Sequence, residues 1–324
     1  MSLLEVKDLE VKYITSEEVV HAVNGISFSL EKGECLGLVG ETGAGKTSTA
    51  LSIIRLLPEP PAKVPKGEIY YNGQDLLKIS EKDMQKIRGN DITMIFQDPM
   101  TALNPLKRVG DQIAEVIKIH QACSDEEANA KANEMLEAVG IQSVRAAEFP
   151  HEFSGGMKQR VVIAIALACE PMILLADEPT TALDVTIQAQ VMEMMVDLRG
   201  KYQMSIIFIT HDLGVVAQIC EKVGIMYGGE IVERGKKEDI FLNTSHPYTK
   251  GLFGSIPSLS KDVDRLEPIK GLTPNPADLP TGCKFHPRCA SAMEKCSSIH
   301  PEVTDLGDGH LVSCHLYSGK GENR

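Results

Sequence analysis

The sequence predicts an α/β fold: a mostly parallel sheet flanked by helices, an N-terminal antiparallel β subdomain, an inserted helical subdomain and a small irregular Cys-rich C-terminal extension. Three observations predict it. From Leu3 to about Glu233, short apolar runs alternate with longer helical stretches, the pattern of strands connected by covering helices. A glycine-rich octapeptide stands between one such run and a helical stretch. After Tyr248 the composition turns to proline and cysteine. At 324 residues the chain exceeds a minimal core and fits one large domain with an appendage.

Taken in order, the first 33 residues read as antiparallel strands. Cys35–Val39, Thr93–Phe96, Ile173–Ala176, Ser205–Ile209 and Val223–Met226 are the apolar runs expected of a buried parallel sheet. Glu68–Tyr71 followed by Asn72-Gly73 reads as a strand ending in a turn, because Asn-Gly tolerates positive φ. The stretch from Val109 to Ala147 has helical period and little strand character, as an inserted subdomain would. Pro257, Pro268, Pro274, Pro276 and Pro280 rule out a regular helix or central strand and imply an extended linker. The expected boundaries are a main domain over 1–243, its helical subdomain at about 98–165, and an extension over 244–324.

Bulk properties narrow the function. A hydrophobic content of 43% with 24% charged residues is ordinary for a globular protein. A net charge of −12 argues against a general nucleic-acid binder, while leaving room for a local phosphate site. No signal peptide is evident at Met1–Asp8, and the longest apolar run, Val161–Cys169, is about half the length a membrane span requires. A membrane role would therefore come from docking on other subunits.

The octapeptide Gly40-Glu41-Thr42-Gly43-Ala44-Gly45-Lys46-Thr47 follows the strand Cys35–Val39 and opens the helical stretch Ser48–Leu57. Glycines let backbone N–H groups wrap an anion, and a helix N-terminus adds partial positive charge. Lys46 would reach the β- and γ-phosphates of a nucleotide, and the Thr47 hydroxyl would join a Mg²⁺ shell. The core is thus expected to be of the P-loop NTPase type. Ile173–Ala176 leads into Asp177-Glu178, two acids at the carboxyl end of a buried strand. Asp177 can hold Mg²⁺ through water, and Glu178 can orient the attacking water. Taken alone, the pair could equally cap a helix before Pro179. A third element, Phe153-Ser154-Gly155-Gly156-Met157-Lys158-Gln159-Arg160, lies just before the expected apolar helix Val161–Ala168 and offers a second helix-terminal anion site. One nucleotide does not need two such sites in one chain; two subunits facing head to tail do.

With these motifs the chain resembles the ATP-binding cassette (ABC) family, whose signature loop is Leu-Ser-Gly-Gly-Gln. The resemblance covers residues 1 to about 240. Phe153 and Met157 depart from the signature conservatively; Ser154, Gly155 and Gly156 match it. The resemblance implies that Gly40, Gly43, Ala44, Gly45, Lys46, Thr47 and Ser48 bind ATP, and that Thr47, Gln97 and Asp177 serve Mg²⁺. It implies that Tyr13 stacks on adenine, although a lone Tyr in a strand is as readily a core or edge residue. Gln97 would reach the attacking water, Asp184 in Thr181-Ala182-Leu183-Asp184 would lie at the partner subunit, and His211 would contact the γ-phosphate. Catalysis would rest on Glu178, His211, Gln97 and Lys46, with two cassettes closing around two ATP molecules. Because Glu178 and His211 are both present, a hydrolytically competent site is expected.

The tail reads Cys283-x5-Cys289-x6-Cys296-x17-Cys314. Thiolates suit Fe–S clusters and zinc; the lack of a Cys-x-x-Cys pair disfavours a zinc knuckle, and incidental burial is the remaining alternative. His246-Pro247-Tyr248-Thr249-Lys250-Gly251-Leu252, and later Gly282-Cys283-x-Phe285-x-Pro287-Arg288-Cys289, are similar to the C-terminal extension of dipeptide and oligopeptide importer ATPases, partly shared by nickel importers. That resemblance implies a [4Fe–4S] cluster on Cys283, Cys289, Cys296 and Cys314, with zinc second. It implies a peripheral subunit on the cytoplasmic face of the cell membrane. Its partners would be a second cassette (self or paralogue), two transmembrane permeases and, indirectly, an extracellular peptide-binding protein. The function implied is ATP hydrolysis energising import of di- or oligopeptides, with import of nickel or another small solute as the alternative. Less favoured is a soluble ABC-class ATPase of DNA repair or translation, given the acidic balance and the lack of a coiled-coil insertion or tandem cassette. A small-molecule kinase would not need Phe153–Gln159.

Overall fold

The computed structural model describes residues 2–98, 101–180, 184–255 and 269–319. In chain order, β1 (Leu4–Ile14), β2 (Val19–Leu30) and β3 (Cys35–Val39) lead to α1 (Lys46–Ile53), then β4 (Ala62–Tyr71), β5 (Gln74–Asp75), α2 (Glu81–Ile87) and β6 (Ile92–Ile95). Next come α3 (Val109–His120), α4 (Asp125–Ala138), α5 (Gly155–Leu167), β7 (Ile173–Asp177), α6 (Val185–Tyr202) and β8 (Ser205–Thr210). The chain continues with α7 (Leu213–Ile219), β9 (Lys222–Tyr227), β10 (Glu230–Lys236), α8 (Lys237–Leu242), α9 (Pro247–Gly254), β11 (Val303–Asp305) and β12 (Leu311–Ser313).

Two compact units result. The first is built chiefly on Leu30–Cys35 and Tyr70–Thr210, the second on Glu5–Ser29, Leu36–Ile69 and the chain from His211 onward. In the first, β6, β7 and β8 pair in parallel, with Ile92 opposite Ile173 and Ile173 opposite Ser205. Every residue of β7 and β8 is buried, which is why both read as unbroken apolar runs and not as alternating ones. The helical stretch of this unit is amphipathic. Helix α3 buries Val109, Ile113, Ala114 and Ile117 while exposing Asp111, Glu115 and Lys118, a 3.6-residue stripe. Helix α4 opens in a capping box: Ser124 Oγ accepts from the Glu127 N–H at 3.2 Å, and Glu127 accepts from the Ser124 N–H at 2.8 Å.

In the second unit, β3 and β9 run parallel with Leu36 opposite Lys222, and β10 returns antiparallel to β9 through Gly228-Gly229. Both glycines have positive φ, as a tight reversal requires. Strands β2, β1 and β4 are neighbours in that order in a separate sheet.

The predicted strands stand within a residue or two of their expected limits, except that β4 begins at Ala62 and not Glu68. Both predicted helix limits near the glycine motifs need correction. Helix α1 ends at Ile53, short of Leu57, because Arg55 takes positive φ and ends the helical turn. Helix α5 starts at Gly155 and not Val161, because Ser154 caps it. The tail is less irregular than expected. It contributes α9 and the ribbon β11–β12, and β12 joins β10 with Val312 opposite Glu233.

Glu233 pins this addition. Fully buried, its carboxylate accepts from the Ser245 N–H at 2.7 Å and the His246 N–H at 3.0 Å, and His310 Nε2 lies 2.9 Å away. Burial opposes ionisation of Glu233, but these hydrogen bonds outweigh it and hold its pKa below the usual carboxylate value. A depressed carboxylate pKa stabilises the fold above the unfolded-state value and loses that contribution as pH falls through the folded one. Glu233→Ala should therefore cost about 3 kcal/mol in thermal unfolding at neutral pH, since it strands buried donors. The deficit relative to wild type should shrink on acidification below the ordinary carboxylate pKa; a pH-independent deficit would mean that the ionised form is not what stabilises.

Candidate active site

The second unit carries the glycine-rich loop. Strand β3 is buried throughout and delivers Gly40 directly after Val39. A Cβ on Gly40 would come within 2.2 Å of the Met226 carbonyl, and one on Gly45 within 2.3 Å of the Ala22 carbonyl. Gly43 and Gly45 both have positive φ, at 81° and 95°, and Gly45 is the left-handed residue from which α1 springs. The loop is thus wedged between two carbonyls that admit nothing larger than hydrogen. Ala44 is buried, its N–H donating to the Glu41 carbonyl at 3.2 Å. Lys46 is 7% exposed, and its Nζ donates to the Gly40 and Glu41 carbonyls at 2.7 and 3.1 Å. Those loop carbonyls hold the ammonium where polyphosphate oxygens could replace them. Thr47 is exposed in the first turn of α1, its hydroxyl open to a cation. Tyr13 OH lies 3.1 Å from Ser48 Oγ, which ties the aromatic ring to the same helix terminus. His211 is exposed just after β8, and the Asp212 carboxylate caps α7 by accepting from the Gly214 N–H at 2.8 Å.

The first unit carries the acids and the second glycine motif. Asp177 is 1% exposed at the carboxyl end of β7. Glu178 leaves the strand in the left-handed region at φ 46°, its N–H donating to the Ile209 carbonyl at 2.9 Å. Such a conformation in a non-glycine residue costs on the order of 1 kcal/mol or more. Gln97, distant in sequence, donates through Nε2 to Glu178 Oε2 at 3.2 Å. The structure therefore brings this pair together.

Ser154 is the exposed N-cap of α5, accepting from the Met157 N–H at 3.4 Å. Gly155 has open space around it, whereas a Cβ on Gly156 would meet Ile187 Cγ2 at 2.6 Å. The two departures from the signature are held by one residue that sequence reading overlooked. The Arg145 guanidinium stacks 4.6 Å over the buried Phe153 ring and donates to Met157 Sδ at 3.2 Å. Asp184 caps α6 by accepting from the Ile187 N–H at 2.9 Å, while Thr181, Ala182 and Leu183 lie outside the described residues.

Cys283, Cys289, Cys296 and Cys314 line one small cavity with His246, Phe285 and Met293, and none is in a disulfide. Cys296 and Cys314 are buried. Burial and the other cysteines push the Cys283 thiol up to about 11, and Cys289 and Cys314 are raised for the same reasons. Without a cation, then, Cys283, Cys289 and Cys314 favour the neutral thiol. Among the described residues no group of three or more His, Cys, Asp or Glu side chains is spaced to hold a metal ion. No helix of the described residues is long and apolar enough to cross a membrane.

A glycine loop opening a helix after a buried strand in one unit and, in the other, an acid at the carboxyl end of a buried parallel strand are the features of a P-loop nucleotide-binding protein. The family described as ABC transporter matches residues 23–181, and the one described as oligopeptide/dipeptide transporter, C-terminal region, matches residues 232–296. The oligopeptide transport ATP-binding protein AppD of Bacillus subtilis is 48% identical over 99% of this chain and 98% of its own length. The dipeptide transport ATP-binding protein DppD of the same organism is 49% identical over 99% and 96%. Among solved structures, the dimeric post-hydrolysis state of the ATP-binding cassette MJ0796 with ADP and Pi superposes with a TM-score of 0.65 at 28% identity, over 72% of this chain and 98% of that one. The chain belongs to the ABC transporter ATP-binding proteins, in the group with oligopeptide and dipeptide transport subunits.

Gly43 and Gly45 differ in what a methyl group would meet, and this separates backbone from steric cost. Gly43→Ala, with open space at its Cβ, should cost about 1 kcal/mol from its positive φ alone. Gly45→Ala should cost more, because the Ala22 carbonyl must also move. Equal unfolding temperatures for the two variants would contradict the wedged loop.

Proposed function

We propose that this chain hydrolyses ATP to power import of dipeptides or oligopeptides, as a peripheral subunit on the cytoplasmic face of the cell membrane. The observation that carries the reading is the combination of the glycine loop wedged at the start of α1 with the Gln97–Glu178 pair at the end of a buried strand. In this reading Gly40, Gly43, Ala44, Gly45, Lys46, Thr47 and Ser48 bind the phosphates of ATP, and Tyr13 stacks on adenine. Thr47, Gln97 and Asp177 would hold Mg²⁺, whose chemistry is to neutralise charge on the phosphates. The buried carboxylate of Asp177 and the open hydroxyl of Thr47 suit a hard cation. Glu178 accepts a hydrogen bond from the attacking water and so aims it; Gln97 keeps the Glu178 carboxylate turned for that task; His211 contacts the γ-phosphate. Ser154, Gly155, Gly156 and Asp184 would face the nucleotide of a second cassette, identical or paralogous. Two permeases and, through them, an extracellular peptide-binding protein complete the assembly.

The reading extends to the tail. Cys283, Cys289, Cys296 and Cys314 are soft donors lining one cavity, and they would hold a [4Fe–4S] cluster, with zinc the alternative, only after drawing closer than the spacing described above. A bound cation supplies positive charge that favours thiolates where the bare cavity disfavours them.

Two measurements test these assignments. Glu178→Gln should retain ATP affinity within about threefold while turnover falls by on the order of a hundredfold. Near-normal turnover would remove Glu178 from its role. Purification without oxygen, followed by assay of iron, acid-labile sulfide and zinc, should find iron and sulfide in similar amounts. Zinc alone would replace the cluster, and neither metal would leave the tail without one.

A further inference from the structure

Glu41, the second residue of the glycine loop, is held at three of its groups. Its carbonyl accepts from Lys46 Nζ at 3.1 Å. Its N–H donates to Tyr248 OH at 3.0 Å. Its carboxylate accepts both arms of the Arg288 guanidinium, Nη1 to Oε2 at 2.7 Å and Nη2 to Oε1 at 3.1 Å. Two of these three partners come from beyond residue 243, and all lie in the same unit as the loop.

Arg288 is itself well fixed. Its side chain is 6% exposed, Nε donates to the Lys270 carbonyl at 3.1 Å, and Nη1 also reaches Tyr227 OH at 3.3 Å. Tyr227, Tyr248 and Phe285 pack ring to ring behind it, with centroids 4.5 to 5.3 Å apart. A forked, nearly buried guanidinium on a carboxylate is among the stronger and more directional pairings available to a protein.

The chemistry of the loop gives this pair a task. A loop that receives a polyphosphate gains from every positive group and loses from every carboxylate near it. Glu41 puts a carboxylate inside that loop. We propose that Arg288 is a positioning residue of the nucleotide site. It neutralises the Glu41 carboxylate inside the loop, so the C-terminal extension sets how tightly the loop holds ATP. The inference rests on the reading of the loop as the ATP site. It requires nothing of the cysteines beyond their place in the chain on either side of Arg288.

The test is a double-mutant cycle on the full chain, purified with its tail metal content intact, with Mg-ATP titrated calorimetrically at low and high salt. Arg288→Ala should weaken ATP binding about tenfold, because it leaves Glu41 charged and unopposed. Glu41→Gln should bind within about twofold of wild type, and Glu41→Gln with Arg288→Ala should recover most of the loss. Arg288→Lys, which keeps the charge but not the fork, should fall between. Raising the salt should shrink the Arg288→Ala deficit, since screening acts on charge repulsion and not on a displaced loop. Wild-type affinity in Arg288→Ala would overturn the proposal. So would a double variant as weak as Arg288→Ala, or a deficit indifferent to salt. If Arg288→Ala fails to fold, Arg288→Lys with and without Glu41→Gln answers the same question. A wild-type chain that binds no ATP would instead refute the underlying function.

Discussion

A helix N-terminus can hold an anion only if the backbone before it bends tightly enough to aim its N–H groups, and that constraint governs this protein. The bend at α1 is enforced from outside. The carbonyls of Ala22 and Met226 stand where Cβ atoms at Gly45 and Gly40 would have to be. The strands that supply those carbonyls, β2 and β9, are fixed by their own pairing, so the loop inherits its shape from the sheets around it. The second helix terminus, at α5, is built differently. It is a serine cap with open space at Gly155 and a close approach at Gly156, and Arg145 steadies the residues on either side. One terminus is wedged and the other exposed, a difference that agrees with the roles proposed for them.

Much of this was legible in the residues. The buried parallel strands announce themselves because burial on both faces demands unbroken apolar runs, and β3 occupies Cys35–Val39 as expected. The glycine loop was legible because few other sequences satisfy its geometry. Helix limits beside glycine motifs were not. Propensity places Gly155-Gly156 outside a helix, whereas the Ser154 cap starts the helix there. The tail strands β11 and β12 are three residues each, too short to show a period, and they form because β10 offers them an edge.

The contacts that tie the tail to the loop were hidden for a related reason. Arg288 stands beside Cys289 in a stretch whose cysteines draw attention, and nothing local pairs it with Glu41, far away in the chain. Likewise Tyr248 and Glu233 look like ordinary helix and strand residues until the fold sets them at Glu41, Ser245 and His310. Long-range ion pairs and buried acceptors follow from topology, which short-range patterns do not encode. Arginine among cysteines, flanked by proline, is the one local hint of a fixed guanidinium.

The central claim is that the backbone of the wedged loop receives the polyphosphate of ATP. Amide hydrogen exchange on the full chain, with and without Mg-ATP, tests it at the atoms concerned. The account predicts that nucleotide slows exchange over Gly40–Ser48 first and most strongly. ATP-dependent protection elsewhere, with those amides unchanged, would contradict it.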